Sequence, residues 1–269
     1  MPNQPLRHYA SSVTETQIDE IVTNLRVDLR EPSSLDYLSN AQKLYDWLIR
    51  PATDGIAKSQ IKTIVFVLDG SLRNIPMSVL HDGKQFLAEN YSIALTLGLQ
   101  LIDPKPIVKQ KVTALIAGLT ESRQGFSALP NVKGELEEIN KQVPLSSIFL
   151  DINFTKQNLS KTLALLPFPI VHLATHGNFS SEAEDTFLLT YDGKLTIENL
   201  NQLLRSKNRS DIEPVKLLIL NACQTALVDK RAALGLAGMA VRAGARSTIA
   251  SLWSVDDCSI SKFIFSQFD

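Results

Sequence analysis

The chain is poor in cysteine, with only Cys223 and Cys258 among 269 residues. Two thiols in a chain this long make no disulfide framework, and a reducing, cytoplasmic setting fits them best. Long apolar runs are missing as well. The longest, such as Ile64–Leu68, is strand-sized, far short of the roughly 20 residues needed to span a bilayer. The N-terminus has no apolar stretch behind a basic region, which argues against a secretory leader. Charge of one sign is lacking too: 27 basic against 28 acidic residues leave a net charge of −1. That balance provides no electrostatic footprint for nucleic acid or an anionic membrane. No internal repeat, Walker loop or Gly-x-Ser-x-Gly elbow is present, so phosphate-loop and serine-hydrolase chemistry have no sequence support.

What the chain does contain is an alternation of short apolar runs with helical periodicities. The first 15 or so residues read as a lead-in. Ile18, Ile21, Val22, Leu25 and Leu29 then recur at helical spacing. A second helix is expected after Pro32, capped by Ser33 or Ser34 and ended by Pro51. From residue 61 onward, strands are expected at 61–68, 86–95 (weaker), 111–118, 146–150, 170–175, 187–191, 215–220 and 246–252. Helices are expected at 132–143, 155–166, 197–204, 232–243 and 258–268. Strands alternating with helices argue for an α/β fold with a mostly parallel central sheet covered on both faces. We divide the chain into an N-terminal lead-in and helix, 1–34, and one large domain, 35–269. The last residues fall inside an amphipathic pattern, so the domain is expected to be cut short at its C-terminal end.

Two runs carry the chemistry. Ile170-Val-His-Leu-Ala-Thr-His176-Gly177 reads as a buried strand emerging at His-Gly. Lys216-Leu-Leu-Ile-Leu-Asn-Ala-Cys223 has the same layout, ending on a cysteine. Reactive groups of an open parallel sheet gather beyond the carboxyl ends of its strands, so neighbouring strands would bring His176 and Cys223 together. A thiol is a poor nucleophile until deprotonated; an adjacent imidazole can take its proton and later protonate a leaving amine. The backbone N–H groups of Gly177 and Cys223 are the candidate oxyanion donors. The pair is 47 residues apart, close to the spacing of about 50 in caspases, whose Gln-Ala-Cys string is echoed here by Asn-Ala-Cys.

Taken singly, each residue has a plainer reading. A histidine at a strand end usually makes a local hydrogen bond, and a free cysteine is usually a small buried hydrophobe. His172 reads as a core histidine satisfied by a neighbour. Its spacing of four from His176 invites a zinc site, but Leu173 and the strand context oppose one, and no metal or other cofactor is expected. His8 and His81 read as surface residues. Cys258 opens the terminal helix in a structural or exposed role, and the Gly/Ala-rich helix after Arg231 reads as close helix-on-sheet packing.

The wider pattern resembles the CHAT domains, caspase-like peptidases of clan CD often found behind tetratricopeptide repeats. The resemblance rests on Leu44-Tyr-Asp-Trp-Leu-Ile-Arg-Pro51, Val67-Leu-Asp-Gly-Ser-Leu-Arg-Asn-Ile-Pro76 and His172-Leu-Ala-Thr-His-Gly177. Leu220-Asn-Ala-Cys-Gln-Thr225 and the long segment from Gly235 to Asp257 complete it. It implies a caspase-like three-layer α/β/α sandwich in which His176 is general base and Cys223 nucleophile of peptide-bond hydrolysis. It also implies that Asn221 helps line the pocket for the residue before the scissile bond, with Asp69, Ser251 and Trp253 as further walls. Asn221 fixes no charge preference; Asp69 would favour a basic residue there, although turn aspartates more commonly cap. The expected partners are a protein or peptide substrate and a tetratricopeptide-repeat or other regulatory protein, with neither nucleic acid nor membrane. The alternative is a catalytically silent scaffold or signalling domain.

Overall fold

The computed structural model describes residues 6–31, 33–96, 112–178, 180, 183–204, 215–222 and 245–250. The chain divides into two compact units, Met1–Ile102 and Asp103–Asp269.

In the N-terminal unit, helix α1 (Glu15–Asp28) begins where Thr14 and Gln17 cap one another. The Thr14 Oγ1 accepts from the Gln17 N–H at 3.3 Å, and Gln17 Oε1 accepts from the Thr14 N–H at 2.9 Å. Such a reciprocal pair satisfies two amides that a helix start otherwise leaves orphaned. Helix α2 (Tyr37–Leu48) starts later than the serines suggest, with Asp36 at its cap position. Ser34 instead closes a small turn, accepting from the Asp36 N–H at 3.0 Å while its hydroxyl donates to the Asp36 carboxylate at 2.7 Å. A serine that bonds two residues ahead holds the chain in a turn and delays the helix.

Helix α3 (Thr53–Lys58), strand β1 (Thr63–Phe66), helix α4 (Leu87–Asn90) and strand β2 (Ser92–Leu95) complete the unit. The expected strand over 86–95 is therefore a short helix followed by a four-residue strand. β1 and β2 pair in parallel, Thr63 opposite Ser92. Leu25, Leu44, Ile75, Met77 and Leu80 form the centre of this unit's core. His81, expected at the surface, is buried. The Phe86 ring meets it edge-on at 4.9 Å, and its Nδ1 accepts the Gly83 N–H at 3.1 Å, so the Asp82-Gly83 turn folds over it.

The second unit is built on a five-stranded sheet: β3 (Ala114–Gly118), β4 (Ser147–Leu150), β5 (Ile170–Thr175), β9 (Leu217–Ala222) and β10 (Ser247–Ala250). Their order is β10-β9-β5-β3-β4, and every pairing is parallel. Between β5 and β9 lie β6 (Gly177–Asn178), β7 (Phe187–Thr190) and β8 (Gly193–Thr196), a separate antiparallel sheet.

Among the described residues three helices cover the large sheet: α5 (Val132–Gln142), α6 (Lys156–Leu165) and α7 (Ile197–Leu204). Side chains alternate across a strand, and the two faces separate cleanly. Leu115, Ala117, Val171, Leu173, Leu218 and Leu220 pack with Leu159 and Leu163 of α6 and Leu200 of α7. Ala114, Ile116, Ile170, Ala174 and Ile219 pack with Val132, Leu136 and Ile139 of α5. This is the α/β/α sandwich expected from the pattern, with near-continuous apolar strands because both faces are covered. Gly118 allows α5 to sit close: a Cβ there would lie 2.4 Å from Val132 Cγ1 and 3.1 Å from the Ala174 carbonyl oxygen.

The connections after β3 and β5 leave in opposite directions. From β3 the chain runs to α5 on one face, and from β5 through β6–β8 to α7 on the other. Adjacent strands whose loops diverge in this way open a crevice at their carboxyl ends, the usual ligand position in open α/β sheets.

Candidate active site

His176 follows the last residue of β5 and stands at that crevice, 9% exposed. The loop from β3 reaches it. Within this loop Arg123 and Phe126 exchange backbone hydrogen bonds of 3.2 and 2.8 Å around Gln124 and Gly125, which have φ of 50° and 87°. Positive φ at both central residues is the geometry of a tight hairpin turn, and glycine supplies the second at no steric cost. The hairpin lays the Phe126 ring 5.0 Å from the His176 ring, and Phe187 meets Phe126 edge-on at 6.2 Å.

The next residue contributes its backbone. His176 Nε2 lies 2.8 Å from the Ser127 carbonyl oxygen. A carbonyl can only accept, so Nε2 carries the hydrogen and the neutral ring keeps its lone pair on Nδ1. The arrangement fixes both the tautomer and the plane of the imidazole.

Gly177 starts β6 opposite Leu188. The His176 carbonyl accepts the Leu189 N–H at 2.8 Å, so strand alternation turns the Gly177 N–H away from β7. A Cβ on Gly177 would meet Leu188 Cδ2 at 3.0 Å, and both Ala222 Cβ and the Phe187 carbonyl oxygen at 3.1 Å. The position therefore accepts no side chain without movement of its surroundings. Thr175, just before the site, is buried and donates its hydroxyl to the Leu189 carbonyl at 2.6 Å. β7 is thus tied to both sides of His176.

β9 lies beside β5 with Ala174 opposite Asn221 and Thr175 opposite Ala222. Ala222 is the residue before Cys223. Cys223 itself lies outside the described residues, as do Ser251, Trp253, Cys258 and the expected helices at 232–243 and 258–268.

Asn221 is 6% exposed, and its side-chain amide donates to Glu135 Oε1 and Oε2 at 3.0 and 2.8 Å. The same carboxylate lies 2.7 Å from His172 Nε2. His172 is the core histidine expected from the sequence, and the neighbour that satisfies it is Glu135. Both side chains are fully buried, and His172 Nδ1 has no hydrogen-bond partner among the described residues. Glu135 occupies the apolar stripe of α5, between Val132 and Leu136. Asp69 belongs to the N-terminal unit, where its Oδ1 accepts the Gly70 N–H at 2.9 Å and lies 3.2 Å from Arg73. It caps a turn there.

Sequence reasoning did not single out Glu135, Phe126 or Ser127. For Glu135 a signal existed: a carboxylate at helical spacing among Val132, Leu136 and Ile139 sits where the period demands an apolar residue. Ser127 acts through its carbonyl oxygen, which no side-chain pattern reports.

Among the described residues, no three or more His, Cys, Asp or Glu residues group as a metal site, and no helix is long and apolar enough to cross a membrane. The model of the CHAT domain family matches residues 38–268. The chain belongs to the CHAT domain family. The parallel sheet and its two helical layers agree with the caspase-like fold of CHAT domains. No curated protein matches the chain.

Proposed function

We propose that this CHAT domain is a cysteine endopeptidase, with His176 as general base and Cys223 as nucleophile toward a protein or peptide substrate. The observation that supports it best is the His176 Nε2–Ser127 carbonyl bond, which leaves Nδ1 as the basic atom at the end of a strand bordering β9. β9 leads directly into Cys223, so one residue beyond a fixed register separates base strand and thiol.

The reaction then needs little more. Transfer of the thiol proton to Nδ1 produces thiolate and imidazolium. The thiolate adds to the substrate carbonyl, whose oxyanion takes hydrogen bonds from the Gly177 and Cys223 N–H groups. The imidazolium returns its proton to the leaving amine as the C–N bond breaks, leaving a thioester on Cys223. Water, deprotonated by the same imidazole, hydrolyses the thioester and restores the thiol. Gly177 has a steric reason to be glycine, and its amide faces away from β7.

We keep Asn221 as a proposed wall for the substrate residue before the scissile bond. Its side-chain nitrogen is held by both oxygens of Glu135. Ser251 and Trp253 complete the proposed pocket, and a tetratricopeptide-repeat or similar protein is the proposed regulatory partner. A reducing cytoplasm suits a nucleophile that must remain a free thiol.

The test is hydrolysis of a peptide library varied at the residue before the scissile bond, by wild type and Cys223→Ala. Turnover that disappears in the variant supports the proposal. Full turnover by the variant, or partner binding by both proteins without any turnover, overturns it in favour of another nucleophile or of a scaffold.

A further inference from the structure

The geometry points to Asp151 as a positioning residue for His176, acting through the loop that holds the imidazole. This deepens the peptidase reading, although its structural part stands on contacts alone.

Asp151 follows β4, an edge strand of the described sheet, and has φ of 47°. That left-handed conformation disfavours most side chains but is tolerated by aspartate, asparagine and glycine. It turns the carboxylate sideways onto the loop leaving β3. Oδ1 accepts the N–H of Thr120 at 2.7 Å and of Glu121 at 3.3 Å, and Oδ2 accepts the Thr120 hydroxyl at 2.7 Å. One carboxylate therefore holds three donors at the start of the loop.

The loop is closed upon itself from that point. The Leu129 N–H donates to the Thr120 carbonyl at 3.0 Å, making Thr120 both the anchored residue and the base of the loop. Inside it the Arg123–Phe126 hairpin forms, with the Ser122 hydroxyl donating to the Phe126 carbonyl at 2.8 Å. A second anchor holds the side: Arg123 Nε donates to the Tyr191 carbonyl at 3.1 Å, and its guanidinium lies 3.5 Å over the Tyr191 ring. The two loop residues that meet the His176 ring, Phe126 and Ser127, come next in the chain. A loop carrying a carbonyl to a single ring nitrogen is useful only if it holds position to within a few tenths of an ångström, because hydrogen bonds weaken steeply with misalignment. Asp151 supplies that restraint from the opposite side of β3, one residue beyond the Gly118–Leu150 pair.

Asp151→Asn keeps the tolerance for positive φ and one acceptor oxygen, while the Thr120 hydroxyl can turn to accept from the new amide. Asp151→Gly keeps the backbone conformation and removes every acceptor. The measurement is the long-range ¹H–¹⁵N spectrum of histidine-labelled protein at alkaline pH, with the His176 resonances assigned from His176→Gln. Wild type and Asp151→Asn should show the Nε2–H tautomer, and Asp151→Gly a mixture of tautomers. On a cleaved peptide, kcat of Asp151→Gly should fall by about 10²-fold with KM changed less than about threefold, and Asp151→Asn should recover most of the rate. An unchanged tautomer in folded Asp151→Gly overturns the inference. If that variant does not fold, Thr120→Val serves instead: a partial tautomer shift supports the inference, and a wild-type spectrum overturns it. A tautomer shift in a protein that cleaves nothing would sink the peptidase reading and leave the positioning role standing.

Discussion

The side-chain amide of Asn221 donates to both oxygens of Glu135, at 3.0 and 2.8 Å, across 86 positions of sequence. With His172 on the same carboxylate, a helix and the neighbouring strands β5 and β9 are joined by polar contacts inside an otherwise apolar layer. The Glu135 side chain is stabilised only while its partners remain, since a buried polar group left unsatisfied costs about 1–3 kcal/mol.

Glu135→Leu should therefore destabilise the domain by about 3–5 kcal/mol, because it strands the donors of His172 and Asn221 without acceptors. Glu135→Gln should cost less, about 1–2 kcal/mol, since one acceptor oxygen survives. Replacing all three residues together, as Glu135→Met, His172→Leu and Asn221→Leu, should recover much of the loss. Urea unfolding of the four proteins checks the order. A triple variant less stable than Glu135→Leu would count against this account.

Gly118→Ala places a methyl group 2.4 Å from Val132 Cγ1, at the first turn of α5. Valine has little rotamer freedom in a helix, so the strain cannot be relieved by a side-chain turn. The expected cost is about 1–3 kcal/mol. Adding Val132→Ala should return part of it, because the contact with the Ala174 carbonyl oxygen persists. A double-mutant cycle by thermal unfolding measures that coupling, and strict additivity would contradict the close approach.

Asp82 gives the N-terminal unit a pH dependence of known sign. Its Oδ1 accepts the N–H groups of Gln85 and Lys84 at 2.9 and 2.7 Å, and those bonds hold its pKa below the ordinary 3.8. A depressed folded-state pKa contributes stability that is present above the unfolded value and lost as pH falls through the folded one. The Tm difference between wild type and Asp82→Ala should be constant at pH 5–7 and shrink as the pH is lowered below 4. A difference that grows with acid would reverse the sign.

Much of this molecule follows from local sequence. Ile170–Thr175 and Leu217–Ala222 are apolar enough to be strands buried on both faces, and their polar exits mark where chemistry can gather. The periods of α5, α6 and α7 placed those helices to within a residue or two, because an amphipathic stripe is a local property. Ser34 shows where local reading strays: its hydroxyl caps a turn in place of the helix, and either outcome satisfies the same donor.

The sequence by itself determined the alternation of strands and helices, the separation of the sheet's two apolar faces, and a histidine at the exit of β5. Only the tertiary structure decided which ring nitrogen of His176 carries the hydrogen, since that depends on a carbonyl 49 residues away. The tertiary structure also decided that Glu135 is a core residue, because three elements must meet before its carboxylate finds donors. Periodicity is written into neighbouring residues; hydrogen-bond partners distant in the chain are chosen by the sheet order.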